Sequence, residues 1–412
     1  MPLPTPDRLL QTLDRFAGAI GVGNASLDPG GLLATALRRS RRREFRDPSF
    51  VPALRLLLER CEAEADLSLF GHYAAKWDVL RCLANLLQFE AEEERCPDIL
   101  SENIDRPIFV TGLPRSGTSL LHSLLTVDSS LRVPRCWQTI SPYPSKRRDR
   151  RRQNVNRQLG IFQRLAPEMS ALHPLSAESP QECTEITAQV FQSLRYEMTY
   201  RIPSYQAWID AAGHIPAYRF HKRFLQHLQH QERGGHWVLK CPDHVHALNA
   251  IEKIYPDCGI VFVHRDPLRV IASAAKLTEV VRRPFTRHID KKDIGRQVLA
   301  RLIEGADTMI ERSKMDRRIF HLRYTDFARE PLKQTELLYR HFDLPLSDAT
   351  RDSMRRFLAA APPANHQFSL EEFGFEGGAL RDRFECYMEH FDIQRESPLW
   401  QTRTPLKIPI AA

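Results

Sequence analysis

The sequence predicts a three-layer α/β fold: a central parallel sheet between helices, with an N-terminal helical region and a helical insertion. Three observations predict it. Short apolar runs are each followed by a helical pattern, as parallel strands joined by crossover helices require. The first of these runs leads through a Gly- and Pro-containing turn into a hydroxyl-rich helix start. A long, mostly helical stretch then separates that unit from the remaining runs. With 412 residues, 42% of them hydrophobic, the chain can bury a substantial core as one large or two modest domains.

In chain order, residues 1–100 read as a helical region. Leu54, Leu57 and Leu58, then Leu80, Leu83, Leu86 and Leu87, recur at helix spacing, an acidic run covers 90–94, and Pro97 closes the segment. Residues 101–392 read as the α/β domain. Its strands are expected at 107–111, 237–239, 259–263 and 319–322, and helices at about 117–127, 243–255, 267–281 and 326–342. Inside it, about 151–235 reads as an insertion or lid punctuated by Pro167, Pro174, Pro180, Pro203 and Pro216. A last helix is expected around 380–391, and 393–412 reads as an extended tail. No internal repeat is visible.

Charged residues make up 27% and the formal net charge is +8, which suits an anionic ligand. Nucleic acid is the rival reading. The dense runs Arg38-Arg39-Ser40-Arg41-Arg42-Arg43 and Lys146-Arg147-Arg148-Asp149-Arg150-Arg151-Arg152 contain no aromatic residue to stack on bases. They read as solvated helix faces, and no nucleic-acid partner is expected. The eight cysteines are scattered without a C-x-x-C pair, which reads as reduced thiols in a cytoplasmic protein rather than disulfides or zinc ligands. No apolar run is long enough for an integral membrane segment. The opening residues 1–7 lack the basic-then-apolar order of a signal peptide.

The chemistry concentrates in two places. Gly112-Leu113-Pro114-Arg115-Ser116-Gly117-Thr118-Ser119 follows the first strand. Backbone N–H groups and the positive end of a helix converge there, which suits a phosphate. The loop resembles a Walker A loop, G-x-x-x-x-G-K-[ST], so the fold is of P-loop type. Gly112 and Gly117 have the required spacing, but Thr118 stands where the lysine belongs. Without that lysine the loop is poorly equipped for ATP or GTP hydrolysis. Thr118 and Ser119 can alternatively serve only as a helix cap. The second place is 261–273, where Arg265 ends a strand, Pro267 suits a first helical turn and Ser273 lies two turns along. Arg265 and Ser273 can clamp a second phosphate. The alternative is an arginine capping the sheet and a serine facing solvent.

Together these elements resemble the sulfotransferase superfamily. Leu239-Lys240-Cys241-Pro242-Asp243-His244, Arg323-Tyr324-Thr325-Asp326-Phe327-Ala328 and the run His366, Gln367, Phe368 through Gly374 extend the likeness over roughly 100–392. They are similar to its bacterial-type branch, which is related to the tyrosylprotein enzymes. The resemblance implies 3′-phosphoadenosine 5′-phosphosulfate (PAPS) as donor, its desulfated form PAP as product, and no metal. It implies that Pro114, Arg115, Ser116, Gly117, Thr118 and Ser119 hold the 5′-phosphosulfate, with Arg115 as the loop's cation. Arg265 and Ser273 would hold the 3′-phosphate. Lys240 would stabilise charge on the departing oxygen, and Phe373 and Gly374, with Phe375, would wall the adenine unless they are core. A sulfuryl group would pass in line to a hydroxyl of a small-molecule or lipid-like acceptor. Relatives often carry Trp-Glu where this chain has Trp137-Gln138, and an amide is no base. The replacements are His244, then Glu182, then His122. Gln138 also leaves open a PAP-binding pseudoenzyme, and the degenerate loop a nucleotide kinase-like phosphotransferase. The acceptor and the oligomeric state are not encoded in any motif.

Overall fold

The computed structural model describes residues 26–144, 148–313, 318–360 and 369–396. The opening residues 1–7, Lys146 and Arg147 of the second basic run, His366 to Phe368 and the tail from 397 lie outside them. The chain divides into two compact units. One draws on Met1–Ile104, Pro134–Arg233 and Leu277–Ile289, the other on Asp105–Val133, Gly234–Lys276 and Asp290–Ala412.

The second unit is built on a five-stranded parallel sheet of order β2-β3-β1-β4-β5. The strands are β1 (Ile108–Gly112), β2 (Leu131–Arg132), β3 (His236–Lys240), β4 (Gly259–His264) and β5 (Ile319–Arg323). Every residue of β1 and β4 is buried, which explains why these strands read as unbroken apolar runs rather than alternating ones. Val110 and Val238, with Val261 on β4, meet Leu121 and Leu124 of the helix Thr118–Leu125, and Leu322, Phe327 and Tyr339 complete that core. After β1 the chain runs to β2 at the sheet edge and back to β3, then crosses to β4 on the other side of β1. The end of β1 is therefore the switch point, where open parallel sheets place their ligands.

The four expected strands are present. The fifth, β2, has two residues paired at Leu131↔His236 and Arg132↔Trp237 and is too short to leave a pattern. The expected helix at 243–255 begins as a tighter 3-10 turn, Pro242–Ala247, and becomes α-helical only over Leu248–Ile254. The one at 326–342 breaks into Tyr324–Arg329 and Pro331–His341. Proline disfavours a helical conformation in the residue before it, and Glu330 sits at φ −135°, ψ 64°. A 23-residue helix, Lys291–Ser313, was not anticipated.

The first unit is helical. Val51–Glu64 buries Leu54, Leu57, Leu58 and Cys61, and Leu69–Arg95 buries Leu83, Leu86 and Leu87, the stripes that the periodicity marks. Ser68 caps the longer helix, its Oγ accepting from the Gly71 N–H at 2.9 Å. The longer helix ends at Arg95, two residues before Pro97, which opens a 3-10 turn, Pro97–Ser101. Residues from far along the chain return here: Phe285 O accepts from the Ser68 N–H at 2.9 Å. Arg38 and Arg39 are exposed at the end of the helix Pro29–Ser40, and Arg42 pairs with Glu94. In the second basic run, Arg151 and Arg152 instead lie over the Trp137 ring at 4.4 and 4.5 Å. No described helix is long and apolar enough to cross a membrane.

Candidate active site

The loop leaving β1 needs its glycines. Gly112 has φ +146°, and a Cβ there would lie 2.3 Å from the Val263 carbonyl oxygen on β4. Gly117 has φ +103°, and a Cβ there would lie 2.5 Å from Cδ2 of Tyr324. Arg115 between them also has positive φ, 68°, a conformation uncommon outside glycine. The Ser116 N–H turns back onto Leu113 O at 3.1 Å. Gly117 is itself the N-cap of Thr118–Leu125, without a side-chain cap bond. Neither Thr118 nor Ser119 caps the helix, whose first-turn N–H groups and positive dipole end open at the loop. Ser116 is fully buried, and its Oγ has no hydrogen-bond partner among the described residues. A buried orphan hydroxyl at a helix N-terminus fits a bound oxyanion as its partner.

Three cations surround this loop. Lys240, the last residue of β3, is 2% exposed and donates from Nζ to Ser119 Oγ at 3.1 Å. Arg115 donates from Nε to Ser273 Oγ at 3.0 Å. Arg265, just beyond β4, donates from Nη1 to the Arg115 carbonyl at 3.3 Å, and its guanidinium stacks on the Tyr324 ring at 4.0 Å. Arg265 and Ser273 were expected to act as a pair. The structure ties Ser273 to Arg115, so the loop and the 261–273 segment meet at that residue. The remaining edge of the Arg265 fork holds Glu396, Nε to Oε1 at 2.8 Å and Nη2 to Oε2 at 2.9 Å. Asp266 Oδ1 accepts from the Leu268 N–H at 2.9 Å at the start of Pro267–Arg282. Burial pushes the Asp266 carboxyl above its ordinary range.

The candidate bases fall in different settings. His244, in the turn after β3, is 1% exposed and packs edge-on against Phe109 at 5.0 Å. His122 is equally buried, with Nε2 at 3.3 Å from Val238 O. Glu182 belongs to the helical unit and is half-buried. In that same unit Gln138 Oε1 accepts from the Arg135 N–H at 2.9 Å at the start of the helix Cys136–Ile140. An amide serves this capping role as well as a carboxylate would. Phe373 is buried, and a Cβ on Gly295 would lie 2.2 Å from its carbonyl oxygen. With Phe375 also buried, this geometry favours the core alternative for both rings. Gly374 is exposed in a left-handed turn, φ +75°. Reasoning from sequence missed Glu396 and Arg269, whose Nε lies 3.9 Å from Glu396 Oε2. No motif marks a glutamate 131 residues from its partner.

A loop of this kind, ringed by Lys240, Arg115 and Arg265, can hold an oxyanion and stabilise charge that develops on it. Comparison with known proteins agrees. The chain is 24% identical over 281 residues to omega-hydroxy-beta-dihydromenaquinone-9 sulfotransferase Stf3 of Mycobacterium bovis, covering 62% of this chain and 67% of that protein. The crystal structure of sulfotransferase STF9 from Mycobacterium avium superposes with a TM-score of 0.80 at 26% identity, covering 90% of this chain and 98% of that one. Sulfotransferase STF1 from Mycobacterium tuberculosis gives 0.76 at 27% identity, over 87% and 98%. The model of the sulfotransferase family matches residues 107–348, more than half the chain. The protein with the Lys-less phosphate loop is a member of the sulfotransferase family.

Proposed function

We propose that this enzyme moves a sulfuryl group from PAPS to a hydroxyl of a lipid-like acceptor. The observation that carries the donor assignment is the junction at Arg115, whose side chain reaches Ser273 while its carbonyl takes Arg265. Two anion-binding elements are thereby joined at one end of the sheet, as a nucleotide with a phosphate at each end of its ribose requires. Bound there, PAPS supplies a sulfuryl group already activated by a phosphate leaving group. The chain's own part is positioning and electrostatics. Ser116, Gly117, Thr118 and Ser119 present N–H groups and hydroxyls to the 5′ end, with Pro114 shaping the turn. Arg115 adds a guanidinium there. Lys240, held by Ser119, brings a buried ammonium to where negative charge grows. Arg265 and Ser273 serve the 3′-phosphate, and Gly374 offers backbone to the adenine. The lipid-like acceptor rests on the name of the Mycobacterium bovis relative, which specifies a hydroxylated menaquinone.

For the acceptor's proton, His244 stands first, four residues beyond Lys240 and in the same unit as the loop. A near-neutral imidazole suits that task, and Glu182 belongs to the other unit. Titration calorimetry with PAP tests the donor site. Arg265→Ala removes one charge-assisted contact and is expected to weaken PAP by about 1.5–3 kcal/mol; unchanged affinity would refute the assignment. His244→Gln is expected to cut radiolabelled-sulfate transfer by about 100-fold or more with PAP affinity intact. If turnover survives in that variant, the base lies elsewhere.

A further inference from the structure

After the helix Gly377–His390 the chain returns across the ends of β4 and β5. Phe391 stacks on His264 with ring centroids 3.9 Å apart. Asp392 accepts from Arg323 Nη1 at 2.6 Å, and the Ile393 N–H bonds to Met388 O at 2.8 Å. At the end of this segment the Glu396 N–H donates to Asp266 Oδ2 at 3.0 Å. The Glu396 carboxylate takes two donors of Arg265, at 2.8 and 2.9 Å. Both side chains are largely withdrawn from water, Arg265 being 21% and Glu396 16% exposed.

The Arg265 fork is thus engaged at all three nitrogens. Nε and Nη2 hold Glu396, Nη1 holds the Arg115 carbonyl, and one face lies on Tyr324. A phosphate held bidentately through Nε and Nη2 needs the same edge that the carboxylate occupies, and two anions at one fork repel each other. This conflict rests on the reading of Arg265 as the 3′-phosphate contact.

We propose that Glu396 is an internal counter-anion that holds the Arg265 fork in the free enzyme and is exchanged for the nucleotide's 3′-phosphate on binding. Free energy spent in releasing Glu396 is subtracted from nucleotide affinity. The same carboxylate, returning to Arg265, favours departure of PAP, which keeps its 3′-phosphate after transfer. The exchange concerns the 3′-phosphate alone, so a nucleotide without that group has nothing to displace.

Calorimetry and stopped-flow dissociation on the full chain, with PAP and adenosine 5′-monophosphate as probes, test this. Glu396→Gln keeps the shape and removes the charge. It is expected to tighten PAP about tenfold, with slower release, and to leave adenosine 5′-monophosphate within about twofold. Unchanged adenosine 5′-monophosphate binding also certifies that the variant is folded. In an Arg265→Ala background, Glu396→Gln is expected to have no effect on PAP. If Glu396→Gln leaves PAP unchanged or weaker while Arg265→Ala still weakens it, the exchange is refuted and the 3′-phosphate contact stands. If Arg265→Ala itself leaves PAP unchanged, the underlying contact has failed and the exchange falls with it.

Discussion

Lys240 shows what one position can and cannot disclose from sequence. Its place at the end of a strand was legible, because the apolar run stops there and the Lys240-Cys241-Pro242 context matches the family. Its anchorage was not, since the bond to Ser119 spans 121 residues. Its proposed task is to stabilise charge that appears only as the nucleotide departs. Lys240→Ala should therefore lower kcat by about 10²–10³ with a much smaller loss of PAP affinity. Equal losses in steady-state kinetics and in PAP titration would make it a binding residue instead. Gln138 is the opposite case. The departure from the family pattern was plain in the sequence, but its capping bond depends on a helix that begins at Cys136, which no spacing indicated. The two arginines over Trp137 likewise became neighbours only once the helix Arg151–Leu165 was folded against it.

Among the elements, the helix Leu69–Arg95 carries a doubly paired carboxylate near its end. Glu93 accepts from Arg223 Nη2 at 2.9 Å and from His227 Nε2 at 3.0 Å, and the other His227 nitrogen meets the Tyr143 hydroxyl at 2.6 Å. Burial alone would raise the Glu93 carboxyl. The bonds from His227 and Arg223 outweigh it and hold the group at about 2, below its ordinary 4.5. A carboxyl depressed in the folded state stabilises the fold above its unfolded value. That contribution is lost as pH falls from about 4.5 to about 2. Glu93→Gln is expected to cost about 1.5–3 kcal/mol at neutral pH, with the difference from wild type closing across that window. Urea unfolding as a function of pH checks it, and a constant difference down to pH 2 would show the charge to be idle. The acidic run 90–94 was visible in the sequence, but only the partner helix Ile215–Gln231 reveals which glutamate meets Arg223 and His227. The long helix Lys291–Ser313 escaped notice for another reason. Its buried residues Ile294, Leu302 and Met309 are widely spaced among charged ones, and Gly295 and Gly305 supply no hydrophobic mark.

For the whole molecule, the parallel α/β core was legible because buried strands must be apolar throughout. The assignment of the helical segments was less so. Residues before Ile104 and those from Pro134 to Arg233 form a single unit, joined by Leu277–Ile289. Bonds such as Ser68 to Phe285, which bring these segments together, are main-chain contacts without a residue signature.

The strand order has one further consequence. Because β1 lies between β3 and β4, the loop emerges with Lys240 one strand away on one side and Arg265 one strand away on the other. Val110 pairs with Lys240 and Gly112 with Val263, so the two cations also stand at different heights. Strands are spaced about 4.8 Å apart and rise about 3.3 Å per residue. The hydrogen-bond ladder is thus a ruler that sets the cations about two strand spacings apart across the sheet. Were Lys240 and Arg265 to hold one ligand as proposed, this backbone spacing would set its length, and a slip of one residue between β1 and β4 would change it.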